Sequence, residues 1–258
     1  MNLCIFNIMV RQVYIIAIVI IALISYASAG EQGNHLFILS GQSNMRNLDP
    51  NVSFTPTVEA EFGKNNVIVV KDAHGGNPIR CWYKKWKPAK GDGPKSTGDL
   101  YDHLMTKVNA AIKYKSITTV TFVWMQGESD AVLRYGDVYA ASLRGLLDQL
   151  SEDLGRKDIN FVVGRISDHH MHPRMRTRWF ESLTIKWGYW MTVRKAQVEA
   201  AEAYPRGGWV DTDDLNGDTN ELHYAEPEGY KILGKRFAEK AIELIKETAN
   251  KPDSGNSQ

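Results

Sequence analysis

The chain has 258 residues, of which 43% are hydrophobic and 24% are charged, enough to bury the core of one globular domain. Arg11 is the only charged residue within positions 1–29, so of the 31 basic residues 30 remain against 30 acidic ones in the rest of the chain. This balance gives no electrostatic reason to expect a nucleic acid or a membrane surface as partner.

Residues 1–29 have the order of a secretory signal. Arg11 precedes an apolar run over residues 13–24, and the small residues 27–29 read Ala-Ser-Ala. The run is shorter than the roughly 20 residues that a membrane-spanning helix prefers, although a retained anchor is the alternative. We therefore expect cleavage after Ala29, no stable membrane insertion afterwards, and a secreted or periplasmic mature protein.

Short runs rich in β-branched and aromatic residues alternate with longer helical patterns after residue 30. The predicted strands are residues 35–40, 67–71, 118–125, 160–166 and 208–212. Apolar residues recur at helical spacing within 104–112 and 139–150, and a last helix is predicted to begin near Pro227. The alternation predicts a mostly parallel sheet with helices on both faces over residues 30–249, followed by a disordered tail at 250–258.

Ligands of such sheets lie outside the carboxyl ends of the strands, so the loops there are the candidate site. The first loop, residues 41–45, reads Gly-Gln-Ser-Asn-Met, and Ser43 is either a nucleophile beside backbone N–H donors or the cap of a helix. After the second strand, Gly75 and Gly76 allow backbone angles that aim an N–H into a pocket, or simply form a tight turn.

The third and fifth strands are followed by loops with further polar side chains. Residues 124–130 read Trp-Met-Gln-Gly-Glu-Ser-Asp, where the Gln126 amide could donate to an oxyanion and Glu128 could hold a neighbouring group. His223 lies just ahead of the last helix and is the natural general base, because an imidazole titrates near neutral pH. A structural role for each of these residues is the alternative.

Together these segments resemble the SGNH-hydrolase superfamily, and within it the carbohydrate esterases of the sialate O-acetylesterase and acetylxylan esterase type. Residues 41–45 and 124–130 are the specific parts of the resemblance, which extends from about His35 to the end of the last helix. It implies a flavodoxin-like three-layer α/β/α sandwich with a five-stranded sheet, and acyl transfer through an acyl-enzyme without a metal or other cofactor. The substrate it implies is an acetylated carbohydrate.

The resemblance also implies the site residues. Ser43 is the nucleophile, His223 is the base, and the oxyanion hole consists of the Ser43 N–H, the N–H of Gly76 (Gly75 is the alternative) and the Gln126 side chain. Residues 220–223 read Asn-Glu-Leu-His, whereas the family pattern is Asp-x-x-His. A neutral Asn220 offers the imidazolium less charge stabilisation than an aspartate does.

Three arrangements could complete the triad. Asn220 alone could orient His223, Glu128 could supply the carboxylate, or Asp218 or Glu221 could reach the ring by a local rearrangement. If none of them does so, the alternative function is a carbohydrate-binding protein with weak or no turnover. A lipid or aryl esterase is a third possibility, against which a Trp-rich substrate rim argues weakly.

Residues 165–190 are predicted to form that rim, with Arg178 and Trp179 as the candidate substrate-binding residues. His169, His170 and His172 cluster in the same segment. No carboxylate or cysteine accompanies them at ligand spacing, so the sequence does not favour a metal site there.

Overall fold

The computed structural model describes residues 33–169, 180–218 and 220–249. The predicted signal, residues 1–29, and the predicted tail, residues 250–258, lie outside the described residues. The described residues from Asn34 onward belong to one compact unit. No helix in the described ranges is long and apolar enough to cross a membrane.

Five strands form a single sheet, and every neighbouring pair is parallel. The strands are β1 (Asn34–Gly41), β2 (Val67–Ala73), β3 (Ile117–Met125), β4 (Asn160–Gly164) and β5 (Gly207–Val210). Their order across the sheet is β2-β1-β3-β4-β5, which is the flavodoxin-like order. The sequence predicted all five strands, and their ends shift by no more than two residues.

Seven helices are described. They are α1 (Ser43–Asn47), α2 (Phe54–Phe62), α3 (Asp99–Ile112), α4 (Glu128–Val132), α5 (Gly136–Leu154), α6 (Phe180–Ala203) and α7 (Glu228–Ala249). Two 3-10 turns, Lys64–Asn66 and Ile79–Cys81, complete the regular structure. The helical spacing in the sequence predicted α3, α5 and α7.

The helices cover both faces of the sheet. The first and last long helices, α2 and α7, pack together, and α7 crosses β3, β4 and β5. The helices α3, α5 and α6 follow the other strands, with α5 packed on α6 and α3 packed on β1 and β2. The predicted three-layer α/β/α architecture is therefore confirmed.

The interior strand β1 is buried from Leu36 to its end because strands flank it on both sides and helices cover both faces. Large aromatic side chains fill the layer beside it. Trp82 meets Trp124 edge to face at 5.2 Å between ring centroids, and Phe122 stacks on Phe161 at 6.0 Å. These contacts fix β3, whose carboxyl end supplies part of the candidate site.

The strand order places a topological switch point between β1 and β3. The chain leaves β1 toward β2 on one side, and it returns through α3 to β3 on the other side. Loops that leave a sheet at such a point diverge and open a crevice. The loop with Ser43 and the loop with Glu128 are the two that border it.

Gly41 permits the close approach of β1 to β3 at this point. Its φ is +144°, and a Cβ atom on it would lie 2.0 Å from the carbonyl oxygen of Met125. The obstacle is backbone of the neighbouring strand, so no rotamer change can relieve it. We expect Gly41→Ala to lower the free energy of unfolding by about 3 kcal/mol or more, measured by urea denaturation.

Gly188 is the matched control for this substitution. It lies inside α6, it is exposed, and a Cβ atom on it would meet nothing within 4 Å. Because alanine is the better helix former, Gly188→Ala should leave the stability unchanged or raise it by up to about 1 kcal/mol. Equal effects of the two substitutions would contradict the role assigned to Gly41.

Candidate active site

A cleft of about 620 Å³ opens at the carboxyl ends of the strands. Its lining residues come from the loops after the five strands and from the helices α1, α4 and α6. The described residues that line it are Gln42, Ser43, Arg46, Gly75, Gly76, Glu128, Ser129, Val132, Leu133, His169, Trp190, Leu222 and His223. Ser43, Gly76, Glu128 and His223, which are far apart in the sequence, therefore share one cavity.

Ser43 is the first residue of α1, directly after β1. Its side chain is largely buried, 7% exposed, and faces the cleft. As the first residue of a helix its N–H has no partner within that helix, so the N–H remains available to a ligand. The preceding Gln42 fixes this turn, because its Oε1 accepts from the N–H of Ser129 at 3.1 Å and from Gln126 Nε2 at 3.2 Å.

Asn44 connects three of the loops and is fully buried. Its Nδ2 donates to Glu128 Oε1 at 2.9 Å and to the carbonyl oxygen of Leu222 at 3.2 Å. Its Oδ1 accepts from the hydroxyl of Tyr230 at 3.0 Å. One amide group thus ties the serine turn to the acidic loop, to the residue before His223 and to α7.

Glu128 carries a buried carboxylate at the wall of the cleft. Its Oε1 accepts from Asn44, whereas its Oε2 is buried without a hydrogen-bond partner among the described residues. Burial raises the pKa of this carboxyl from its ordinary value near 4.5 to about 7. Burial likewise raises the pKa of the nearby Asp130 to about 7, and the Glu128 carboxylate adds to that rise.

Gln126 is fully buried and lies behind the described lining of the cleft. Its Nε2 donates to Asp130 Oδ2 at 2.6 Å and lies 3.2 Å from the carbonyl oxygen of Asn77. Asp130 Oδ2 also accepts from the N–H of Ile79 at 2.8 Å. Gln126 and Asp130 therefore hold the loop that follows Gly76, and the oxyanion role of the Gln126 side chain stays a prediction.

The glycine pair lies opposite the serine turn. Gly76 has a φ of +74°, and its N–H donates to no acceptor among the described residues. Gly75 packs under Arg46, whose Nη1 would lie 2.7 Å from a Cβ atom at that position. The carbonyl of Gly75 accepts from Asn77 Nδ2 at 3.0 Å, which fixes the loop. Both glycines line the cleft, as their predicted role requires.

His223 is exposed and borders the cleft from the loop between β5 and α7. Within the described ranges, nothing hydrogen-bonds to its ring. Asn220 lies in the left-handed region, with a φ of +52°, and its carbonyl oxygen accepts from His169 Nδ1 at 2.5 Å. Of the four residues predicted as possible orienters of His223, only Glu128 lines the same cleft.

Arg194 and Gln197 of α6 fix the loops after β4 and β5. Arg194 donates to both carboxylate oxygens of Asp213 at 2.7 and 2.8 Å, and Gln197 accepts from the N–H of Ile166 at 2.9 Å. Gln197 Nε2 also donates to the carbonyl oxygen of Gln126 at 2.8 Å. These two side chains therefore brace the rear of the site.

Only part of the predicted substrate rim lies among the described residues. Arg178, Trp179, His170 and His172 lie outside the described residues. Trp190 lies on α6, is 1% exposed, and donates from its indole to the carbonyl oxygen of Ser167 at 2.7 Å, so it is a wall of the cleft. The sequence does not predict α6 as a helix, because the apolar residues of that segment do not form a single stripe.

Residues 45–243 match the family described as "SASA: Carbohydrate esterase, sialic acid-specific acetylesterase". The chain belongs to this carbohydrate esterase family. The predicted family and enzyme class, a carbohydrate acetylesterase, are thereby confirmed. A comparison with curated protein sequences gave no significant match.

Solved structures share the fold of this esterase. A protein from Arabidopsis thaliana superposes with a TM-score of 0.61 at 18% identity, covering 82% of this chain and 98% of the other. A carbohydrate acetylesterase from Xanthomonas citri gives a TM-score of 0.59 at 15% identity, covering 83% of this chain and 56% of the other, so the esterase spans little more than half of that protein. NanS gives 0.54 at 13% identity, covering 83% and 98%.

The raised pKa of Glu128 predicts how the stability of the esterase depends on pH. The folded state holds this proton up to about pH 7, whereas the unfolded state releases it near pH 4.5, so stability falls as the pH rises from about 4.5 to about 7. Glu128→Gln cannot ionise and keeps an acceptor for Asn44. We expect it to reduce this loss by up to about 3 kcal/mol, measured by urea denaturation at pH 5 and pH 8.

Asp218→Asn is the matched control for this measurement. Asp218 is an exposed carboxylate of the loop that carries His223, so its removal should leave the difference between pH 5 and pH 8 unchanged. The burial argument would be wrong if Glu128→Gln and wild type lost the same stability between the two pH values.

Proposed function

We propose that the chain is an exported serine esterase that removes O-acetyl groups from carbohydrate through an acyl-enzyme. The observation that carries this proposal is the convergence of Ser43, Gly76, Glu128 and His223 on one cleft. Family membership supports an acetyl ester as substrate, and the pattern of residues 1–29 supports export. An acetylated polysaccharide or an acetylated sialic acid is the proposed substrate, and the family description supports the latter.

In the proposed reaction the Ser43 hydroxyl attacks the acetyl carbonyl and His223 takes the hydroxyl proton. The tetrahedral intermediate collapses, His223 returns the proton to the departing sugar oxygen, and the acetyl group stays on Ser43. Water then attacks this ester with His223 again as the base, which releases acetate and restores the serine. The exposed position of His223 at the cleft suits a group that must meet both alcohol and water.

We propose Glu128 as the carboxylate of the triad. Its Oε2 is the acceptor at the cleft wall that lacks a partner among the described residues. The Asn44 amide bonds both Glu128 and the carbonyl of Leu222, so the same group positions the acid and the residue before the base. An imidazolium that forms on His223 would give the buried carboxylate its counter-charge.

The proposed oxyanion hole consists of the N–H groups of Ser43 and Gly76. Preorganised N–H groups of this kind stabilise the charge that develops on the carbonyl oxygen. Gln126 is predicted as a third donor, and its contact with the carbonyl of Asn77 also positions the loop that presents Gly76. We therefore propose that substitution of Gln126 would also disturb the oxyanion hole by displacing the loop that carries Gly76.

The rim supports a sugar-sized substrate. The cleft volume falls within the range of about 300–1,000 Å³ that is typical of small-molecule sites. Val132 and Leu133 at the end of α4 are 50% and 46% exposed beside it and offer an apolar surface for an acetyl group or a sugar face. Arg46 also lines the cleft and is exposed. Arg178 and Trp179 remain proposed substrate-binding residues from the sequence.

The nucleophile can be tested with a p-nitrophenyl acetate reporter and with acetate release from a panel of substrates. We expect Ser43→Ala to reduce hydrolysis to the background rate, because the acyl-enzyme cannot form. Acetylated sialic acid, acetylated xylan and short lipid esters form the panel, and the two glycans should be preferred. Equal rates for wild type and Ser43→Ala would refute the serine mechanism, whereas preference for the lipid esters would refute only the substrate.

Asn220 motivates a second candidate function, a carbohydrate-binding protein with weak turnover. If Glu128 is the triad acid, Glu128→Gln should lower kcat by about 10²- to 10⁴-fold, while Asn220→Asp changes it less than about tenfold. The stability measurements on Glu128→Gln distinguish loss of function from loss of fold. A large gain in kcat in Asn220→Asp with no loss of kcat in Glu128→Gln would show that the natural triad is impaired. Glycan binding without hydrolysis in both wild type and Asn220→Asp would favour the carbohydrate-binding protein.

A further inference from the structure

A second polar cluster lies at the carboxyl end of β2 and includes none of the described residues that line the cleft. Asp72 is buried, 4% exposed, and its Oδ2 lies 3.0 Å from His74 Nε2 and 3.0 Å from His103 Nδ1 of α3. The two imidazole rings meet at 75° with centroids 5.5 Å apart. One carboxylate oxygen and two imidazole nitrogens therefore lie within 4.8 Å of one another.

We propose that Asp72, His74 and His103 bind one divalent transition-metal ion of the Zn²⁺ class. Zinc takes imidazole nitrogen at about 2.0–2.1 Å and carboxylate oxygen at about 2.0–2.2 Å in a tetrahedron, which places neighbouring ligand atoms about 3.3 Å apart. The two contacts of 3.0 Å need to open by only a few tenths of an ångström. All three ligand atoms lie within 4.8 Å of one another, so the remaining adjustment is one of side-chain rotation.

Lys107 supplies the main argument against this site. Its Nζ lies 2.5 Å from Asp72 Oδ1, and a cation so close opposes the binding of a second one. However, Lys107 contacts Oδ1, whereas both histidines contact Oδ2. The Lys107 side chain is also 45% exposed, so its ammonium group can turn into solvent. The competing interpretation is an ion-pair cluster that binds no metal. The two interpretations differ in the effect that removal of Lys107 has on the affinity for metal.

The position of the cluster defines what a bound ion would do. His74 follows the end of β2 and immediately precedes the glycine pair, whereas His103 lies on α3. A metal ion shared by both histidines would tie the strand end to the helix by coordinate bonds. Since the ion binds the folded arrangement, it would raise the unfolding temperature, and the rise would grow with the logarithm of the ratio of metal concentration to Kd. This effect does not depend on the proposed esterase mechanism.

The test is titration of the purified chain, made without a histidine tag, with ZnCl₂ in a calorimeter. Wild type should bind one ion, and its Tm should rise by about 3 °C or more at saturating metal. His103→Ala and His74→Gln should each weaken the affinity at least about tenfold, since loss of an outer-shell partner alone costs that much. Co²⁺ in place of Zn²⁺ should give visible d–d absorption in wild type that His103→Ala abolishes.

Two further variants serve as controls. Lys107→Met should leave the affinity unchanged or increase it, and His170→Gln/His172→Gln should retain binding, which excludes the other histidine cluster as the source. His103 is 53% exposed, so its truncation should preserve the fold, as circular dichroism can verify. Absence of saturable binding in wild type, an unchanged affinity in His103→Ala, or weaker binding in Lys107→Met would each overturn the proposal.

Discussion

The buried amide of Asn44 is the contact on which the arrangement of the site depends. A side-chain amide has two N–H donors and one acceptor oxygen, and Asn44 uses both ends against three different segments of the chain. Glu128 follows β3, whereas Leu222 and Tyr230 follow β5, so the sheet brings them near one another while the amide fixes their final positions. An aliphatic side chain of the same size would leave the Leu222 carbonyl and the Glu128 carboxylate with fewer partners in a low-dielectric interior.

This contact is possible because β1 is an interior strand of a parallel sheet and borders the switch point. Gly41 lets the backbone of β1 pass close to Met125, and the chain then turns at once into α1. The serine and the asparagine consequently occupy adjacent positions on one short helix, one at the cleft and the other beneath it. A longer loop after β1 would separate these two positions, and the proposed nucleophile, Ser43, would lose its link to the acidic loop.

The sequence predicted the sheet well because each strand is a compact apolar run that ends at a polar loop. Residues at the ends of parallel strands meet at one edge, so the sequence also predicted that Ser43, Gly76, Glu128 and His223 lie near one another. All four line the cleft. The sequence could not reveal the roles of Asn44 and Tyr230, because their contacts span 84 and 186 residues and depend on side-chain geometry. It also did not identify α6, whose apolar residues meet neighbours on several sides.

The proposed acid of the triad shows why the local motif is insufficient. Asn220 occupies the place where the family pattern has an aspartate, but its backbone is left-handed and its carbonyl bonds His169. Glu128, in contrast, lies 95 residues before His223 in the chain and lines the same cleft as His223 through the fold. Its burial is unfavourable for the ionised state, so the fold bears an energetic penalty near neutral pH that no described partner of Oε2 offsets. In the proposed mechanism that penalty has a function. A carboxylate destabilised by burial gains most when an imidazolium forms beside it, which is the moment at which His223 has taken the serine proton.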